Sequence, residues 1–292
     1  MIDMAVPGVG TPEDEDREAA GGSRPQSLLL TFFGGYVLGR GVAVSTGSVL
    51  EVLGRVGVSE HAVRSTLSRM ARRDLLRRVR QGRQVYVGLT PRSREVLRDG
   101  ETRVWRVGAV NTHWDGAWTL LGFSLPDAQR SQRHELRSRL LWAGFGPLQG
   151  GLWVAPSGAD VSAVAGDPDL SAHIRVFTAR ALPPTDVDAM VRDAWDLDAI
   201  AARYRGFLER WETPERRPEL PDALARQLAL QTDWLRVIRQ DPRLPVQHLP
   251  EGWPAERAQR LFLGLHAELD DEARAVVADV LDVVPDDALA RS

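Results

Sequence analysis

Between Ser59 and Arg73 the segment SEHAVRSTLSRMARR spaces hydrogen-bonding side chains so that a helix would gather them. At about 100° per residue, Val63, Leu67 and Met70 fall within about 60° of one another, while His61, Arg64, Ser65, Ser68 and Arg72 take the opposite side. Arg69 and Arg73 flank that polar side, and Ser59 is an N-cap residue at the helix entry. The chemistry on offer is recognition of bases and phosphates. Arginine forks onto guanine O6 and N7, serine hydroxyls bond any base edge, and flanking arginines meet the phosphate walls of a groove. Ser59, His61, Arg64, Ser65, Ser68, Arg69 and Arg72 are therefore candidate DNA contacts. The competing reading is a solvated face, because every basic residue in the chain is Arg and none is Lys.

Position decides between these readings. Downstream, Leu76 to Arg80 and Gln84 to Leu89 read as strands joined at Gln81-Gly82-Arg83, a hairpin with Arg80 and Arg83 at its tip for phosphate or minor-groove contact. Arg77 and Arg78 are adjacent in a strand and must point to opposite faces, so at most one reaches DNA. From Arg55 to Arg83 there are nine Arg and two acids, a local charge of +7. Upstream, Ser27 to Leu38 and Thr46 to Leu53 read as helices, with Gly54 and Gly57 marking the turn before the Ser59 helix. Three helices followed by a basic hairpin predict a winged helix-turn-helix. Thr90-Pro91 then opens a helix expected to run to about Gly108.

Beyond it the chain changes character, and all nine Trp lie at or after Trp105. Strands are expected at Trp118 to Leu125, Gln149 to Ala155 and Ile174 to Ala181. Helices are expected at Ser131 to Ala143, Asp186 to Trp195 and Leu197 to Trp211. This alternation suggests a ferredoxin-like α+β domain. Glu212 to Pro221 is a linker candidate, followed by helices at Asp222 to Gln240, Ala255 to Glu268 and Glu272 to Val283. The acids Glu268, Asp270, Asp271 and Glu272 would cap the last of these. The fold class is thus α+β, with an acidic tail expected to be disordered (1–23), a winged helix-turn-helix domain (24–108), a central ferredoxin-like domain (109–212) and a helical C-terminal domain (213–292). Gly144, Gly146, Gly150 and Gly151 suit either a phosphate cradle or a tight strand connection.

The 292 residues carry a net charge of −3, which conceals three blocks. Met1 to Ser23 sums to −5, Arg24 to Arg106 to +10, and Val107 to Ser292 to −8. A basic block in an acidic chain points to a phosphate-binding module. With 43% hydrophobic and 26% charged residues, the composition is that of a soluble globular protein. There is no Cys, which excludes disulfides, thiolate nucleophiles and Cys-based metal sites. The longest apolar run, Leu28 to Gly39, falls short of the roughly 20 residues of a membrane span. The first 23 residues lack a signal peptide's apolar region, so a cytoplasmic protein with no membrane partner is expected. The six histidines show no metal-ligand spacing, and no Gly-x-Ser-x-Gly elbow occurs. No metal site, catalytic residue or cofactor is expected, and the chain reads as not an enzyme.

The ordered chain resembles the PaaX-like family of bacterial repressors of phenylacetic acid degradation. The resemblance is carried by Tyr36-Val37-Leu38, by Ala62-Val63-Arg64-Ser65-Thr66-Leu67-Ser68-Arg69-Met70 and by Leu89-Thr90-Pro91. It continues in Trp114-Asp115-Gly116-Ala117-Trp118, in Gly144-Phe145-Gly146-Pro147-Leu148 and in Gly150-Gly151-Leu152-Trp153-Val154-Ala155-Pro156. Asp241-Pro242-Arg243-Leu244-Pro245, Leu249-Pro250 and Trp253-Pro254 complete it. The resemblance implies a repressor of operator DNA, released by an acyl-CoA effector such as phenylacetyl-CoA, and a homodimer is expected to bind the operator. Arg133, Arg137, Trp142, Trp153, Arg236 and Arg239 are the effector-binding candidates, indoles for stacking and guanidinium groups for phosphates. Where the family often has an acid before the Leu-Pro ending the first central strand, this chain has Ser124. The alternative function is an enzyme docked on nucleic acid, a nuclease or thioesterase built on the ferredoxin-like domain, with Asp127 as the nearest carboxylate.

Overall fold

The computed structural model describes residues 24–102, 104, 109–126, 130–159, 161, 171–239 and 241–286. The acidic tail (1–23), Trp105 to Gly108 and Asp127 lie outside them. By compactness the chain divides into two units: Met1–Gly100 with Glu219–Thr232 and His266–Ser292, and Glu101–Pro218 with Asp233–Leu265.

The first unit begins α1 (Arg24–Tyr36), β1 (Val42–Ser45), α2 (Thr46–Arg55), α3 (Glu60–Arg72), β2 (Leu76–Gln81), β3 (Gln84–Leu89) and α4 (Pro91–Thr102). Local chemistry sets these bounds. Ser45 caps α2, its Oγ accepting from Ser48 N at 3.0 Å, and Ser59 caps α3, accepting from Ala62 N at 3.3 Å. Leu28, Leu29, Phe32 and Phe33 of α1 meet Val49, Val52 and Leu53 of α2 and Val63, Leu67 and Met70 of α3 in one core. The β2–β3 register, Gln81 opposite Gln84, leaves a two-residue turn with Gly82 at φ +61°.

Three elements, α9 (Ala255–Val280), β1 and β8 (Val283–Pro285), depart from the sequence reading. Instead of separate helices at 255–268 and 272–283, α9 runs unbroken over Ala255–Val280. The acids sit in mid-helix, where Asp270 pairs with Arg274 one turn on at 2.8 Å and accepts from Gln227 at 3.3 Å. With neither Gly nor Pro between 268 and 272, nothing halts the ladder. The chain then turns into β8 (Val283–Pro285), antiparallel to β1, in a sheet ordered β2-β3-β1-β8. Neither β1 nor β8 was expected.

The second unit contains β4 (Trp118–Phe123), α5 (Arg130–Trp142), β5 (Gly146–Pro147), β6 (Leu152–Pro156), β7 (Ile174–Ala179), α6 (Val187–Ala194) and α7 (Leu197–Trp211). Its antiparallel sheet is ordered β5-β6-β4-β7. Alternation along the strands divides two cores. Leu121, Trp153, Ala155 and Ile174 join Leu136 and Leu140 of α5, while Trp118 and Val154 join Val191 and Ala194 of α6. Gln149–Gly151 form a 3-10 turn where strand was expected. Gly146 settles the cradle question for its own position: a Cβ there would stand 2.7 Å from Ala194 O, so close packing explains it. Helices α8 (Ala223–Ile238) and α9 are each divided between the two units. In the second, Trp234 stacks on Phe262 at 4.9 Å and lies 5.3 Å from Phe207.

Candidate nucleic-acid interface

Helix α3 has the two faces that its spacing predicts. Val63, Leu67 and Met70 are 0%, 6% and 1% exposed, whereas His61, Arg64, Ser65 and Arg72 are exposed. Ser59 is exposed at the helix entry, its Oγ engaged as the cap. Glu60 lies one turn from Arg64 at 3.5 Å, an exposed pair of little energetic weight. Arg69 is half-buried and donates to Thr66 Oγ1 at 3.1 Å, which draws it along the helix flank. Ser68, also half-buried, accepts from Arg78 Nη2 at 3.3 Å.

The β2–β3 hairpin stands beside this face and brings Arg80 and Arg83 to solvent at its tip. The strand alternation separates Arg77 from Arg78. Arg77 turns inward to an ion pair with buried Asp286, while exposed Arg78 reaches across to Ser68. A groove of about 590 Å³ opens between the start of α2, the α3 face and the hairpin, lined in part by Thr46, Gly47, Arg64, Ser68, Arg78 and Gln84. Thr46, Arg78 and Gln84 line this groove without having been among the named candidate contacts. Only the strand alternation signalled Arg78, and the other two depend on how the elements meet.

Midway along β3, Tyr86 donates to Asp282 Oδ2 at 3.1 Å; burial and that carboxylate raise its phenol pKa above the ordinary value. Elsewhere in the first unit, a polar cluster ties α1, α8 and α9 together. Tyr36 donates to Gln227 Oε1, and Gln231 and Gln227 present their amide nitrogens to His266 Nε2 at 2.6 and 3.3 Å. Two amide donors make that ring nitrogen an acceptor, which places the imidazole proton on Nδ1. Burial lowers the His266 pKa below the usual histidine value.

In the second unit, Arg133, Arg137 and Trp153 line a cavity of about 550 Å³ with Phe123, Ser124 and Leu148. Arg133 donates to Leu125 O at 2.7 Å, so its guanidinium is held at the wall. Trp142, 43% exposed at the end of α5, and Arg236 and Arg239 of the α8 region are not among that lining. His248 pairs with Asp188 at 2.7 Å. Among the described residues no group of three or more His, Cys, Asp or Glu side chains is placed to hold a metal, and no helix is long and apolar enough to cross a membrane.

Three family models match the chain in succession: the PaaX-like protein model over residues 24–93, the PaaX protein central Cas2-like domain over 111–191, and the PaaX-like protein C-terminal domain over 195–279. The chain is 28% identical over 271 residues to the transcriptional repressor PaaX of Escherichia coli K12, covering 87% of this chain and 83% of that protein. Among solved structures it is similar to the uncharacterized protein Rv0674 from Mycobacterium tuberculosis. That match has a TM-score of 0.57 at 20% identity, with 85% of this chain and 96% of that chain covered, and so bears on the fold.

Proposed function

Because the chain belongs to the PaaX-like family, we propose that it is a DNA-binding transcriptional regulator, a repressor whose α1–β3 segment is a winged helix-turn-helix. In this reading α3 enters the major groove. Arg64, Ser65, Ser68 and Arg72 meet base edges, while Ser59, His61 and Arg69 lie toward the backbone. Arg80, Arg83 and Arg78 of the wing meet phosphates. One observation carries the reading: on α3 the donors and acceptors share the side opposite the core, and the arginine-bearing hairpin stands beside that side. A homodimer would place two such helices on half-sites one turn of duplex apart, or a multiple of it. The second unit's strand order, 2-3-1-4 in chain sequence, supports the ferredoxin-like assignment.

Relief of repression by an aryl-acetyl-CoA thioester belongs to the same proposal. The cavity between β4, α5 and residues 147–153 supports it, offering guanidinium groups for phosphates and an indole with a phenyl ring for the acyl group. The effector acts by binding more tightly to a geometry that fits DNA poorly. The test of the DNA reading is a gel-shift screen of tiled genomic fragments, followed by affinity against salt. With about six phosphate contacts, log K against log salt should slope near −5. A salt-insensitive association, or no retained fragment, contradicts the proposal.

A further inference from the structure

The residues around β8 present no arginine to the groove, yet they are built into the strands that carry the wing. Val42, Ala43 and Val44 of β1 pair with Pro285, Val284 and Val283, and β1 pairs onward with β3 through Val44–Val87 and Ser45–Tyr86. Asp286 N donates to Gly41 O, and Ser45 N to Asp282 O, each at 2.8 Å. Side chains add two further links. Tyr86 of β3 donates to Asp282, and the Asp286 carboxylate, 2% exposed, is ion-paired with Arg77 of β2.

Arg77 and Gly88 are opposite one another in the β2–β3 ladder. The carboxylate therefore crosses the base of the hairpin, above the position that has no side chain. A Cβ on Gly88 would stand 2.6 Å from Asp286 Oδ2, closer than real Cβ contacts come. A two-stranded ribbon is marginally stable alone, so its direction depends on what anchors its base. Taking one partner from a buried ion pair leaves the other charge unpaired, which makes the anchor costly to break.

We propose that Asp286 is a positioning residue for the wing. Together with Arg77 and Gly88 it fixes the base of β2 and β3, so that Arg80 and Arg83 at the tip are held at a set distance from α3. Its consequence for DNA rests on the DNA-binding reading above; the positioning itself does not. The same arrangement explains why only one of the two adjacent arginines faces the groove: Arg77 belongs to the anchor and Arg78 to the interface.

The experiment compares Asp286→Ala, Gly88→Ala and their double variant in the full chain, by amide hydrogen exchange of the free protein and by DNA affinity across salt. Each single variant should speed exchange between Arg78 and Val85 by about tenfold or more while α3 keeps its protection. Each should make the salt slope shallower by about 1 to 2, the loss of one or two phosphate contacts, with base preference unchanged. Since Gly88→Ala acts by displacing the carboxylate, it should add nothing in the Asp286→Ala background. Asp286→Asn, which keeps size and shape, separates local from general effects: faster exchange confined to the hairpin supports the role, and loss of protection throughout α1 and α8 overturns it. Unchanged hairpin exchange in both single variants, or additive effects in the double, also overturns it. Hairpin exchange that responds as expected in a protein that binds no DNA upholds the positioning and defeats the DNA-binding reading.

Discussion

Arg64 and Arg83 carry the same charge and are expected to fail differently. Arg64 faces the groove from the second turn of α3, where a bidentate bond to a guanine is worth about 1–3 kcal/mol of discrimination. Arg64→Ala should flatten preference at one base pair of each half-site. Arg83→Ala should weaken all sequences alike and make the salt slope shallower by about 0.9. Competition titrations with single-base operator variants distinguish the two. His266 supplies a pH prediction. Its pKa lies below the ordinary histidine value in the folded chain because of burial, so the unfolded chain binds the proton more readily. Stability is complete above the unfolded histidine pKa, about 6.5, and falls as pH drops through it toward the folded value. Thermal melts from pH 8 to pH 5 should show that loss, and His266→Gln should remove part of it. At this scale the sequence disclosed the polar face of α3, because a period of 3.6 assigns faces without any tertiary knowledge. It did not disclose the Ser68–Arg78 contact, which depends on where the hairpin lies.

Among the elements, α3 is held by its apolar side. Leu67→Ala removes a side chain that is 6% exposed in the main core of its unit, at a cost of roughly 2–5 kcal/mol, read as a lower denaturant midpoint. Helix α9 gives a sharper test. If a helix began near Glu272, proline at Asp271 would be tolerated; in an unbroken α9 it should cost about 3 kcal/mol or more. Asp271→Pro melting like the wild type would contradict the continuous helix. The acids misled because capping chemistry and mid-helix ion pairing use the same residue types, and only Arg274 and Gln227 decide between them. Strands β1 and β8 were hidden for another reason. Four and three residues long, they are too short for an alternating pattern to register, and their pairing partners lie far apart in the chain.

For the whole molecule, the charge asymmetry reads as a division of labour. The +10 block from Arg24 to Arg106 holds the proposed DNA face, and the −8 stretch from Val107 to Ser292 repels phosphate. The cavity that Arg133, Arg137 and Trp153 line leads to a prediction of its own. Phenylacetyl-CoA should raise the melting temperature and release bound DNA, and Arg133→Ala/Arg137→Ala should lose both responses. A shift by free phenylacetate and not by the thioester would refute the coenzyme A part. Three of six effector candidates share this cavity; the sequence offered Trp and Arg as types, but pocket formation is a property of packing. The most direct test of the central claim is selection of duplexes from a randomised pool by the wild type and by Arg64→Ala. The wild type should enrich a paired-half-site sequence, and Arg64→Ala should enrich the same sequence with one degenerate position in each half. No enrichment by the wild type, or identical sequences from both proteins, would contradict it.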